Sequence, residues 1–559
     1  MHRFLTAFIY ETSTEHKQEF SRQTLFWLII SLVFAVFYGI LGLQKAFRGE
    51  YVVQDDAREY VFWMQRFINP ELFPHDLIAD YFKSITPLGF AAIYKMMASL
   101  GVTPLLLSKI LPICLGLITS IYCFRLCLEI FPVPLAGFIS TLLLNQSLWF
   151  KSDLVSATPK AFVYSLLLAF LYYLLRKSWL IICFIIVLEG LFYPPLILIS
   201  LGILFMRSRG HYLWVLAILG LAFIVMLPYA IASVEFGPVV TASQAWKMPE
   251  FWPGGRHPFF DPNPWQFWFI GQHSGILPPL MPPLIWLGLL LPLVVKYSSR
   301  FPLINLIKTQ IKILPQIIIV SLTLFFAAHT LLLKLFFPTR YTIHTLRIVM
   351  AIAAGIALTT VLDSFLRVYQ QKPQILQLIL TVTLAVILLF YPNFSGRFPT
   401  TDYRQSGEVS LYKFLLQQPQ DILIATLADE ADNIPTFAQR SILVGREYAL
   451  PFHLGYYSQI RQRTSDLIDA QYSQDLVAAK KLIKKYQISF WLVENTAFQP
   501  EYLTKKTWLQ SFQPAFKEAL SSLKQDNTPA LAKLTKHCSV LETEQFTVLK
   551  AECIVNYRQ

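Results

Sequence analysis

EYVVQDDAREYVFWMQRFINPELFPHDLIADYFK, residues 50–83, is the first polar stretch after the first long apolar run, and it crowds seven carboxylates together: Glu50, Asp55, Asp56, Glu59, Glu71, Asp76 and Asp80. Acidic side chains beside hydrocarbon are costly to desolvate, so such a cluster next to a membrane span needs a water-facing position or a chemical task. Asp55 and Asp56 are the candidate catalytic pair. Asp56 followed three residues later by Glu59 also reads as a capping-box-like start for a helix through REYVFWMQRF, which would account for both without chemistry. That leaves Asp55 over, and a second acid beside a cap, on a segment carrying Phe62, Trp63 and Phe67, suits a general base or a metal ligand. His75 and Asp76 stand at a second helix start after Pro74, with Asp76 in a capping position.

Around this stretch the chain is apolar. Of 559 residues, 55% are hydrophobic and 14% charged, and the apolar runs repeat at about 20 residues, the length of a bilayer-spanning helix. A mainly α, polytopic membrane protein is expected. The run at 24–43 lacks the short apolar core and small-residue cleavage site of a processed leader, so it is expected to stay as an anchor behind a cytoplasmic segment 1–23. The 47 basic against 34 acidic residues form no basic helix or RNP-like run, which argues against a nucleic-acid partner and assigns the charge to topology and lipid headgroups.

Arg176 and Lys177, Arg207 and Arg209, Lys296 to Lys312, and Arg367 with Lys372 mark four cytoplasmic loops, whereas Lys45 and Arg48 keep the first span from deciding orientation alone. Spans are predicted at 104–124, 131–148, 161–175, 212–234, 276–295, 314–335, 345–366 and 374–391. Residues 178–206, interrupted by EGLFYPP, read as a hairpin of two short helices, and 87–102, with Lys95, as a half-inserted segment. The result is a transmembrane bundle over 24–391 with about 10 to 12 helices. Its first outer loop, 44–86, shares one face with 149–160, the loop 235–275, the turn 336–344 and all of 392–559.

Residues 392–559 read as a separate, extracytoplasmic α/β domain: DILIAT, RSILVG, ISFWLV and FTVLKA are short buried strands, alternating with helical stretches such as DLVAAKKLIKKY. It carries no nucleophile elbow or phosphate loop, so covering or recognition suits it better than catalysis. Cys538 and Cys553 flank its last hairpin and would pair in an oxidising compartment, two free thiols being the alternative. Zinc, redox and P-loop motifs are absent.

Further site residues come from the same face. Loop 235–275 is dense in Trp, Phe and Pro around Arg256, His257 and His273; aromatic faces stack on sugars, and cations beside them hold phosphate. Arg340, in PTRYT, and Lys160 are further phosphate partners, weighed against ordinary snorkelling. Asp153, otherwise a solvated loop acid, could share a divalent cation (Mg or Mn) with Asp55.

An acidic pair in the first outer loop, many spans with short broken ones, and a soluble outer tail resemble the GT-C superfamily of membrane glycosyltransferases, which includes protein O-mannosyltransferases, the lipid A aminoarabinose transferase and oligosaccharyltransferase catalytic subunits. DDAREYVFWMQRF, PELFPHDLIADYF, PGGRHPFF, LFYPP and PTRYT are similar to motifs of bacterial GT-C-like membrane proteins. The resemblance implies transfer of a sugar from a polyprenyl-phosphate carrier, with inversion, to a glycan, lipid or protein acceptor. In that role Asp55 would be the base and Asp56 its assistant, with Arg256, Lys160, Arg340 or a metal between Asp55 and Asp153 compensating the departing phosphate; the family includes members with and without a divalent metal. Two other classes compete: a lipid or solute transporter, which Pro-broken spans also suit, and a non-catalytic envelope scaffold, in which Asp55→Asn would be silent.

Overall fold

Runs this apolar can satisfy their backbone amides in a bilayer only by closing them into helices, and helices build the larger part of the chain. The computed structural model describes residues 21–207, 210–232, 235–277, 282–368 and 374–557. Residues 1–20 of the expected cytoplasmic segment lie outside these, as do Arg209 and Lys372. In chain order come α1 (Arg22–Ala46), strand β1 (Val52–Gln54), α2 (Arg58–Met64), α3 (Leu77–Ile85), α4 (Leu88–Ser99), α5 (Pro104–Ile130), α6 (Pro134–Trp149), α7 (Val163–Leu175), α8 (Trp179–Phe192), α9 (Pro195–Arg207), α10 (Tyr212–Ala232), α11 (Ile313–Thr330), α12 (Thr339–Val368) and α13 (Gln374–Phe394). Among the described residues five helices are long and apolar enough to cross a membrane, and five shorter apolar helices accompany them. The chain is a polytopic membrane protein.

Helix α12 is the axis of the bundle: 83% of its apolar window is buried, against 11% for α10 at the periphery. It packs along α6, and the approach is close at Gly355, where a Cβ would stand 2.7 Å from the Ala136 carbonyl. Small residues let helix backbones meet in a membrane, where dispersion rather than the hydrophobic effect holds them. Helices α8 and α9 form the short hairpin expected from EGLFYPP; α8 ends at Phe192, and Pro194 and Pro195 prevent its continuation.

Two expected spans are corrected. The run at 276–295 is a 3-10 stretch, Pro283–Leu290, followed by a six-residue helix, Leu291–Lys296, because Pro282, Pro283 and Pro292 remove amide donors that an α-helix would use. The span at 345–366 begins at Thr339, directly after Pro338. Its first turns carry Arg340 and His344, which hydropathy discounts but which face a polar cluster.

After α13, strand β2 (Tyr403–Gln405) pairs antiparallel with β1, matching Gln54 to Tyr403. Then follow β3 (Leu423–Ala425), β4 (Ser441–Ile442), α14 (Leu454–Tyr472), α15 (Leu476–Tyr486), β5 (Phe490–Glu494), β6 (Ser539–Glu542) and β7 (Phe546–Lys550). The five form one sheet in the order β4-β3-β5-β7-β6. β3 runs parallel to β4 and β5, whereas β7 is antiparallel to β5 and β6. All four stretches read as strands are strands, so the C-terminal region is α/β.

Cys538 and Cys553 are disulfide-bonded, 15 residues apart with Cα atoms 5.5 Å from each other. A loop of that length constrains the unfolded chain by about 3 kcal/mol. Replacing both cysteines with serine is expected to lower the unfolding free energy of the C-terminal region by that order, read from denaturant titration of its tryptophan fluorescence.

Candidate active site

The first polar stretch is held from both sides. The β1–β2 pairing continues through Asp55, whose N–H donates to the Asp402 carbonyl at 3.1 Å, so the segment after α13 fixes the backbone at the acidic pair. Helix α2 then starts without a side-chain cap from Asp56: Gln54 Oε1 accepts from the Ala57 N–H at 3.0 Å instead. The capping-box reading of Asp56 and Glu59 therefore fails, because Lys160 claims Asp56. At the second helix start Asp76 does cap, accepting from the Ala79 N–H at 2.8 Å, and His75 is exposed.

Asp55 has both carboxylate oxygens engaged. Arg58 Nη2 donates to Oδ1 and Arg404 Nη2 to Oδ2, the latter at 2.9 Å. Burial works to raise its pKa, but the hydrogen bonds and charges of the two arginines outweigh that and hold the carboxyl below its usual range. Asp56 differs: Oδ2 accepts from Lys160 Nζ at 2.7 Å, Oδ1 has no partner among the described residues, and the side chain is 42% exposed. Lys160 also lies 3.7 Å from Asp153 Oδ1, so its ammonium stands between two carboxylates. Asp153 faces a second cation, Arg347 Nη1, at 3.4 Å. Its burial is overcome by the charges of Lys160 and Arg347, which depress its pKa. The structure thus joins Asp153 to Asp56 rather than through a shared partner to Asp55. Among the described residues no trio of His, Cys, Asp or Glu is grouped to hold a metal.

Of the proposed phosphate partners, Arg256 is already committed: its Nη2 donates to Glu447 Oε2 at 2.6 Å and lies 3.6 Å from Glu59 Oε1. His257 packs its ring 4.8 Å from Phe452, and His273 stacks on Phe337 at 4.4 Å. Burial, aided by Arg256 and Arg340, drives both imidazoles toward neutrality, His273 down to about 3. With Phe337 and Phe452 they form an aromatic shelf. Arg340 alone among the named cations has no carboxylate within ion-pair distance among the described residues. Its guanidinium lies 5.8 Å from the Phe336 ring, and its Nε is buried without a partner.

Residues that the sequence reading passed over complete the cluster. Arg58 is buried, and besides Asp55 it reaches Asn433 Oδ1 at 2.8 Å and Glu447 Oε1 at 3.9 Å, tying the first polar stretch to the C-terminal region. Arg347, His344, Tyr164 and Tyr193 line the side toward the bundle. Glu59, read from the sequence only as a capping partner, is half-buried, and desolvation, reinforced by Glu447 and Asp56 and only partly offset by Arg256 and Lys160, pushes its carboxyl up to about 8. The folded state therefore holds this proton more tightly than the unfolded chain, and stability falls as pH rises from the ordinary glutamate range through about 8. Melting temperatures taken between pH 5 and 9 are expected to decline more steeply for the wild type than for Glu59→Gln.

No family model matches the chain, and no curated protein matches it. Solved structures do. The Archaeoglobus fulgidus oligosaccharyltransferase, tethered to an acceptor peptide containing the NVT sequon, aligns over 89% of this chain and 72% of its own with a TM-score of 0.52 at 13% identity. AglB from the same organism, in complex with an inhibitory peptide and a dolichol-phosphate, aligns over 89% and 72% at 0.46 and 13%. ArnT from Cupriavidus metallidurans, bound to undecaprenyl phosphate, spans 95% of this chain and 99% of its own at 0.38 and 12%. The chain shares its overall fold with the archaeal oligosaccharyltransferase.

Proposed function

We propose that this chain is a membrane glycosyltransferase that moves a sugar from a polyprenyl-phosphate carrier to an extracytoplasmic acceptor with inversion at the anomeric carbon. The observation that carries the reading is Arg340, a cation at the polar end of the central helix whose Nε is buried without a partner and which no carboxylate among the described residues meets at ion-pair distance. A lipid-linked phosphate brings the missing charge to that depth. Lys160, between Asp56 and Asp153, adds a second cation to the same space. On this reading loop 44–86, loop 235–275 and the C-terminal domain all lie on the outer side.

The acceptor hydroxyl oxygen attacks the anomeric carbon as the bond from that carbon to the phosphate oxygen breaks, and the hydroxyl proton passes to Asp56 through its unpartnered Oδ1. Asp55, clamped by Arg58 and Arg404, orients the acceptor and holds its neighbour in place, so the proton-taking role moves from Asp55 to Asp56 within the same pair. The leaving polyprenyl phosphate is stabilised by Arg340 and Lys160. If a divalent metal takes part, Asp56 and Asp153 are the carboxylates that would hold it, with Lys160 displaced from between them.

The test is release of free polyprenyl phosphate from a polyprenyl-phosphate hexose by the purified protein in the presence of an acceptor glycan. Asp56→Asn is expected to slow turnover by about 10²- to 10⁴-fold, the range for loss of a general base. An Asp56→Asn protein as active as the wild type sinks this assignment.

A further inference from the structure

Several hydrogen-bonding groups near the polar end of α12 lack partners, and most lie on one face of that helix. Arg340, His344 and Arg347 follow i, i+4, i+7 spacing. Arg347 is 1% exposed and His344 fully buried. Arg347 Nη1 donates to the Tyr164 hydroxyl at 2.5 Å, and that hydroxyl lies 3.1 Å from His344 Nδ1. A guanidinium can only donate, so the Tyr164 oxygen accepts from it, which leaves that hydroxyl's own hydrogen free for His344 Nδ1; in that arrangement the imidazole hydrogen is on Nε2. After these bonds and the Asp153 contact, Arg347 Nε and Nη2, His344 Nε2, Arg340 Nε and the Tyr193 hydroxyl are buried with no partner. The Tyr193 ring stands 6.4 Å from that of His344.

Nε and Nη2 form the side edge of the guanidinium, the fork whose spacing matches two oxygens of a carboxylate or phosphoryl group. Buried donors are rarely left unmet, and Arg347 lies against Asp153, which Lys160 also faces. We infer that the side edge of Arg347, together with His344 Nε2, is an oxyanion subsite for the head group of the donor; this rests on the transferase reading above. Two sources carry such an oxyanion, the lipid phosphate and an acidic substituent on the transferred sugar. Along α12 the two arginines are about 10 Å apart by helical rise. A phosphate held at Arg340 leaves Arg347 to the group beyond it, which favours the sugar.

The experiment measures binding of three probes to the full-length protein in lipid nanodiscs: a polyprenyl phosphate, a polyprenyl-phosphate hexose and a polyprenyl-phosphate hexuronate. Arg347→Gln is expected to weaken the hexuronate at least tenfold while bare polyprenyl phosphate stays within twofold of wild type. An equal tenfold loss on all three probes also establishes the subsite and assigns it to the lipid phosphate. Wild-type affinity of Arg347→Gln for all three overturns it, the fork then being met by water. If Arg347→Gln does not fold, Arg347→Lys, which keeps the charge and loses the fork, is read by the same outcomes. Arg340→Gln is measured alongside: unchanged binding of bare polyprenyl phosphate there defeats the transferase reading's phosphate site, independently of what Arg347→Gln does.

Discussion

Replacing Arg340 with glutamine is expected to lower kcat/KM for a polyprenyl-phosphate sugar by about 10²- to 10³-fold, the loss seen when one preorganised charge-stabilising donor is removed from an active site. The protein is expected to melt close to wild type. Arg340 has no carboxylate in ion-pair reach among the described residues and a buried, unpartnered Nε, so its removal breaks no close pair and costs only the longer-range attraction of Asp153 and Asp56. A structural arginine would behave in the opposite way, with stability and activity falling together. Lysine at 340 is expected to recover part of the rate, because it restores the charge without the planar fork. Steady-state kinetics and a thermal melt on the same preparations check both halves.

Arg58 carries the opposite expectation. It holds Asp55, Asn433 and Glu447 at once from a buried position, and removing one partner of a buried ionic network is destabilising by about 3 to 5 kcal/mol because the remaining charges lose their compensation. Arg58→Met should therefore lower stability by that order in denaturant titration. It should also loosen the hold of the C-terminal region on the first polar stretch, seen as faster proteolysis between α13 and β2. Activity falls with it, since Asp55 keeps only Arg404. If Arg58→Met melts like the wild type, the C-terminal region is not held at the site through this residue.

Local patterns in the sequence carried the fold a long way. Apolar length placed most helices, the proline break at LFYPP separated α8 from α9, and short apolar runs marked the sheet. The start of α12 escaped because Arg340 and His344 lower the hydropathy of turns that are helical all the same. At the site, loop acids and cations were visible one by one, including Asp56, Lys160, Asp153 and Arg340. Their pairing was not, since Lys160 reaches Asp56 from 104 residues away. That long-range contact also removed the local capping role that Asp56 and Glu59 suggested. Arg347 was hidden inside a predicted span, although a charge three residues after a histidine and seven after an arginine in an apolar helix is a readable signal of a polar face. Glu447, Asn433 and Arg404 come from a C-terminal region with no motif to announce them, and only tertiary folding brings them to Arg58 and Asp55.

The most direct measurement is the lipid profile of cells lacking this protein, complemented by wild type or by Arg340→Gln. A polyprenyl-phosphate sugar that accumulates on deletion, clears with wild type and persists with Arg340→Gln is the predicted result, and the accumulated lipid identifies the donor. Unchanged lipids on deletion, or full clearance by Arg340→Gln, would contradict the account and leave the fold put to non-catalytic use.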